Sequence, residues 1–170
     1  MKIPFYKYHG TGNDFVIIDN RKMFIDRSEK EVIAKLCDRR FGIGADGLIL
    51  LQDVVDYDFE MVYFNADGNE STMCGNGGRC IVGFANKLGI INDKAAFLAI
   101  DGPHEAVVKD KIISLNMCDV NQIEINPDYC LIDTGSPHYL TFIDNIDEVN
   151  VVEEGNKIRY NDRFREEGVN

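Results

Sequence analysis

The 170-residue chain has room for one domain, or one and a fraction. Its 45% hydrophobic and 28% charged composition excludes a disordered tail, a collagen-like fibre and a coiled-coil rod. Eighteen basic against 29 acidic residues give a net charge of −11, which repels phosphate backbones and argues against nucleic-acid binding. No apolar run approaches the ~20 residues that cross a bilayer, so no membrane partner is expected.

Taken in chain order, the N-terminus lacks the apolar core and cleavage site of a signal peptide, and the chain reads as cytoplasmic. Strands over residues 5–8 and 15–19 flank the turn His9-Gly10-Thr11-Gly12-Asn13. Ser28-Glu29-Lys30-Glu31 has the spacing of a capping box. It opens a helix whose apolar face is Val32, Ile33, Leu36 and Cys37, with Arg39-Arg40 at its C-terminal end. Strands follow over 48–51 and 59–64, and then a helix over 77–88 with Cys80, Ile81, Phe84, Ala85 and Leu88 on one side and Gly89 as a stop. Further strands are predicted over 97–100, 106–109 and 112–117, the last two joined by a tight turn at Asp110-Lys111. Strands over 129–133 and 139–143 and a short helix near 147–154 complete the set. Short connections favour antiparallel pairing, and runs of strands with few helices indicate an α+β fold.

Gly42-Ile43-Gly44-Ala45-Asp46-Gly47 matches G-x-G-x-x-G, but it follows a helix and precedes a strand. A dinucleotide site needs the reverse order, and Asp46 would set a carboxylate beside the phosphates. A tight helix-to-strand connection is the better reading. The five cysteines are scattered and no pair is spaced C-x-x-C. With only three histidines, neither a disulfide framework nor a metal site is expected, and each cysteine is read first as a buried hydrophobe.

Cys74 stands apart. Met73-Cys74-Gly75-Asn76-Gly77-Gly78-Arg79-Cys80 brings a thiol to a glycine-rich helix start, where free N–H groups and the helix dipole favour an anion by up to ~2 kcal/mol. Such a sulfur can serve as nucleophile or base. A thiol hydrolase would pair it with His9 or His138. A cofactor-independent racemase would instead hold a substrate carboxylate on the N–H groups while the sulfur takes the proton from the adjacent carbon. Both readings stay open on these residues alone.

The motifs Lys7-x-His9-Gly-x-Gly12-Asn13-Asp14-Phe15, Phe41 to Gly47, Phe64-Asn65-Ala66-Asp67-Gly68-Asn69 and Cys74 to Cys80 resemble those of diaminopimelate epimerase. Gly135-Ser136-Pro137-His138 is similar to that family's Gly-Asn-Pro-His. The resemblance implies a cofactor-free interconversion of LL- and meso-diaminopimelate by two thiol bases, in lysine and peptidoglycan synthesis. It also implies two pseudo-symmetric halves, each a curved, mostly antiparallel sheet wrapped around a central helix. Cys74 would be one base. Gly75 and Asn76 would cradle the reacting carboxylate, and Asn13, Asn65 and Asn170 would bind the distal end of the substrate. His138 would line the site, and Ser136, where the family commonly has asparagine, would make a shorter or water-mediated contact and leaves another amino acid open as substrate. Residues 1–117 would be the first half, and 118–170 the beginning of the second. The family's second cysteine motif and its preceding Glu-Arg pair are missing, so this chain alone is expected to be inactive. A homodimer is left open.

Overall fold

The computed structural model describes residues 2–170, in two compact units, residues 2–117 and 118–170. The first unit contains β1 (Tyr6–Gly10), β2 (Asn13–Asp19), α1 (Lys30–Cys37), β3 (Gly47–Gln52), β4 (Phe59–Asn65), α2 (Gly75–Lys87), β5 (Lys94–Ala99), β6 (Gly102–Lys109) and β7 (Ile112–Leu115). The seven strands form one curved sheet in chain order. Four of its six pairings are antiparallel. The two exceptions are β2–β3 and β4–β5, which are parallel because the connections between them carry α1 and α2.

Side-chain alternation gives this sheet two apolar faces. Phe15, Ile17, Ile49, Leu51, Phe59 and Met61 point to α2, whose Ile81, Val82, Phe84 and Ala85 are buried against them. The alternate residues Val16, Ile18, Leu48, Leu50, Val62 and Phe64 point to the other face and pack with Ile33 and Cys37 of α1. β3 is therefore buried along its whole length, as its unbroken apolar run allows. α2 touches β1 to β4, β6 and β7, so the sheet wraps around it as the family resemblance implies. The helix comes this close because its interior glycines have no side chain. A Cβ on Gly77 would press on Ile49 and Met61, and one on Gly78 would lie 2.6 Å from Met73 Cε and 2.8 Å from Leu115 Cδ2.

Several local expectations need correction. The Ser28 capping box does not form: Glu29 is the residue before α1 and makes no side-chain cap, while the Ser28 hydroxyl donates to Asp26. Val32 is exposed, and the apolar face of α1 narrows to Ile33 and Cys37 with Leu36 partly covered. α1 ends at Cys37, so Arg39 sits in the following turn, where it serves carboxylates and not the helix end. α2 starts at Gly75, two residues earlier than expected. The Asp110-Lys111 turn forms with both residues at positive φ (50° and 67°), the hairpin geometry suited to strand twist.

The second unit contains β8 (Ile123–Ile125), β9 (Cys130–Asp133), β10 (Pro137–Leu140), a 3-10 turn (Ile146–Glu148) and α3 (Val151–Arg159). Its three strands form an antiparallel sheet in the order β10-β9-β8. β8 was not expected. β10 begins at Pro137 and stops at Leu140, earlier than the 139–143 span, because Pro137 pairs with Asp133 across a tight loop. Tyr129 stacks on Tyr139 at 4.5 Å, and Phe164 meets the Tyr139 ring edge-on. Cys37 and Cys80 are buried, as read from sequence, but Cys118 is exposed and Cys130 only partly covered.

Candidate active site

The sheet register sets the first group of candidate residues side by side. Asn13 opens β2, Gly47 opens β3 beside Phe15, and Asn65 closes β4 directly opposite Gly47. Cys74 precedes α2 in extended backbone conformation (φ −113°, ψ 117°) and offers no side-chain cap. The first intrahelical bond runs from Gly78 N–H to the Cys74 carbonyl at 2.8 Å, so the N–H groups of Gly75, Asn76 and Gly77 have no partner within the helix. No acidic residue occupies the first turn to compete for them.

Polar contacts around the thiol are specific. The partly buried Cys74 Sγ donates to Asn13 Oδ1 at 3.7 Å. Asn13 Nδ2 in turn donates to Asp46 Oδ2 at 2.9 Å. Asp46 also accepts from the Asp14 backbone N–H (3.1 Å) and from Arg39 (2.7 Å). Arg39 reaches Asp14 as well (2.7 Å), and Lys7 donates to Asp14 (2.6 Å) and to the Gly44 carbonyl. These contacts hold both acids ionised. The Arg39 guanidinium, followed by Lys7, keeps Asp14 well below the usual carboxylate range, and the Asn13 amide is the largest cause lowering Asp46. The Gly42 to Gly47 segment is thus a structural connection after α1 and before β3, with Gly44 at φ +83°.

On the other side, the Tyr63 hydroxyl donates to Asn65 Oδ1 at 2.9 Å. Its ring lies edge-on to Phe15, and burial, with Cys74 next, pushes its hydroxyl up to about 12. Burial likewise pushes the Cys37 and Cys80 thiols up to about 11, as suits core residues. Asn76 Oδ1 accepts from Arg79 at 2.5 Å and lies 3.5 Å from Thr11 Oγ1, which bridges the β1–β2 turn to the helix start.

Asn13, Asn65, Cys74, Gly75 and Asn76 therefore gather at one end of the first unit. Ser136, His138 and Asn170 belong to the second unit and gather there. Asn170 bonds with Pro137 and Tyr139 through its backbone, and its side chain donates to the Pro137 carbonyl at 3.3 Å. His138 Nδ1 lies 2.7 Å from the Ser136 carbonyl, which requires a proton on Nδ1 and leaves Nε2 as the other ring nitrogen. Sequence reasoning missed Arg39, Tyr63 and Arg79, and took Asp46 only as an argument against phosphate. One signal was available: Tyr63 and Asn65 are two apart on a strand and so share a face.

A sheet wrapped around a helix, with a thiol at the helix start, defines one half of a duplicated epimerase-like fold. Residues 5–121 match the family described as Diaminopimelate epimerase. The chain is 55% identical to the diaminopimelate epimerase of Flavobacterium psychrophilum over 97% of its own length and 65% of that protein, and 41% identical to that of Chlorobaculum tepidum over 95% and 65%. The chain belongs to the diaminopimelate epimerase family, and it spans about 65% of the length of these relatives. Among solved structures it is similar in fold to a phenazine biosynthesis protein of the PhzF family from Bacillus anthracis (TM-score 0.67, 15% identity, covering 86% of this chain and 58% of that one). No helix among the described residues is long and apolar enough to cross a membrane.

Proposed function

We propose that this chain supplies the first half of a cofactor-independent amino-acid epimerase that interconverts LL- and meso-diaminopimelate, with residues 118–170 beginning the second half. The observation that carries this reading is the position of Cys74 immediately before α2, whose first three N–H groups have no partner within the helix and can receive a carboxylate. In one direction the Cys74 thiolate takes the proton from the α-carbon. The C–H electron pair delocalises into the carboxylate, where Gly75 and Asn76 N–H groups stabilise the added charge. A second thiol on the opposite face returns a proton and inverts the centre. In the other direction Cys74 is the donor.

Asn13 and Asn65 would hold the distal amino-acid end, with amide groups that can both accept from an ammonium and donate to a carboxylate. Ser136, His138 and Asn170, in the second unit, are proposed as further substrate-binding residues. Among the described residues no second cysteine stands at a glycine-rich helix start, so the isolated chain should not turn over substrate. The test is conversion of LL-diaminopimelate by a full-length protein carrying this sequence, alongside the 170-residue chain. Turnover by the first and none by the second is expected. A panel of other amino acids racemised in preference to diaminopimelate would overturn the substrate, and turnover by the isolated chain would overturn the two-thiol reading.

A further inference from the structure

We propose that Asp46 is a positioning residue which, through the Asn13 amide, keeps the proton on the Cys74 sulfur of the unliganded site. An ionised carboxylate only accepts hydrogen bonds. Asp46 is ionised and already holds the Arg39 guanidinium and the Asp14 N–H, so Asn13 must turn its NH2 group toward it. That choice fixes the other end of the amide: Oδ1 faces Cys74 Sγ at 3.7 Å. A carbonyl oxygen suits an S–H donor and opposes a thiolate. The flipped amide would suit a thiolate, but it would set its oxygen against the Asp46 carboxylate, two acceptors in opposition. The ion-pair network through Arg39, Asp14 and Lys7 holds the connection carrying Asp46 in place, so the bias is built into the fold. It opposes the helix start, which favours the thiolate.

The consequence rests on the proposed two-thiol reading. In such a reaction one sulfur must begin protonated, and the Asp46–Asn13 pair gives that state to Cys74, making it the proton donor at rest. The hydrogen-bond logic itself needs no substrate. It is tested by the rate at which iodoacetamide alkylates Cys74 in the 170-residue chain at pH 7.0, read by mass spectrometry of the peptide carrying that residue. Asp46→Asn frees the amide to rotate and should raise the rate roughly fivefold, the scale of one neutral hydrogen bond. Asn13→Leu, nearly isosteric and without an acceptor, should raise it similarly.

Removing a negative charge from position 46 could also act through space, so the double variant decides. In the Asn13→Leu background, Asp46→Asn should change the rate by less than about 1.5-fold. An unchanged rate in Asp46→Asn, or an equal rise with and without Asn13, overturns the proposal. Should Asp46→Asn unfold, as read by circular dichroism, Asn13→Leu decides alone, and no rise there overturns it. A full-length protein that fails to epimerise while the alkylation pattern holds would remove the proposed reaction and leave this assignment standing.

Discussion

Replacing Gly47 with alanine puts a methyl group against rigid parts of β4. A Cβ at this position would lie 2.5 Å from the Phe64 carbonyl oxygen and 2.6 Å from Tyr63 Cε2. Carbon–oxygen contacts between strands normally fall at about 3.3–3.6 Å. The backbones of β3 and β4 would have to part by close to ~1 Å at the Gly47–Asn65 pair, and the Tyr63 ring has little room to yield because it is packed edge-on to Phe15. Overpacking of this kind costs about 1–3 kcal/mol. The alanine also restricts the unfolded chain, which offsets about 0.4–1 kcal/mol. At mid-range a net loss of about 1 kcal/mol remains, or roughly 4 °C in Tm for a unit of this size. Far-UV circular dichroism melts of the parent and Gly47→Ala chains measure it directly. A variant that melts at or above the parent would refute the close approach of β3 to β4 on which the Tyr63–Asn65 contact depends.

Two further outcomes follow from the same end of the sheet. Tyr63→Phe removes the donor to Asn65 Oδ1; stability should fall by about 0.5–1.5 kcal/mol in denaturant titrations, and in a full-length protein KM should rise several-fold with kcat less affected. Asp14 and Asp46 both have lowered values in the folded chain, so their stabilisation is present above about pH 4 and is lost as pH falls through the folded values. Asp14→Asn should therefore destabilise the chain by roughly 1 kcal/mol at pH 7, after allowance for solvent screening, and flatten the stability loss between pH 4 and pH 2. An acid limb as steep as that of the parent would contradict the network.

The parts of the site legible in the sequence were those encoded locally. Cys74 with its three following glycines names a helix start by itself, and Asp110-Lys111 names a hairpin turn. The contacts that orient the site are not local. Asp46 reaches Asn13 only because β2 and β3 run parallel with Phe15 beside Gly47, a pairing hidden by the reading of short antiparallel connections. Tyr63 holds Asn65 only where the backbone of Gly47 leaves space for the ring. The capping-box spacing failed for a similar reason, since Asp26 competes for the Ser28 hydroxyl. In the second unit, Pro137 enters its strand by pairing with Asp133, and no periodicity over 139–143 could have shown that.

The central claim is that the Cys74 sulfur moves a proton at the carbon next to a carboxylate without a cofactor. Its most direct test is solvent-deuterium incorporation at the α-carbon of LL-diaminopimelate by a full-length protein carrying this sequence, followed by NMR with and without Cys74→Ala. The account predicts incorporation coupled to epimerisation in the parent and loss of epimerisation in the variant. Epimerisation that persists in Cys74→Ala would contradict it.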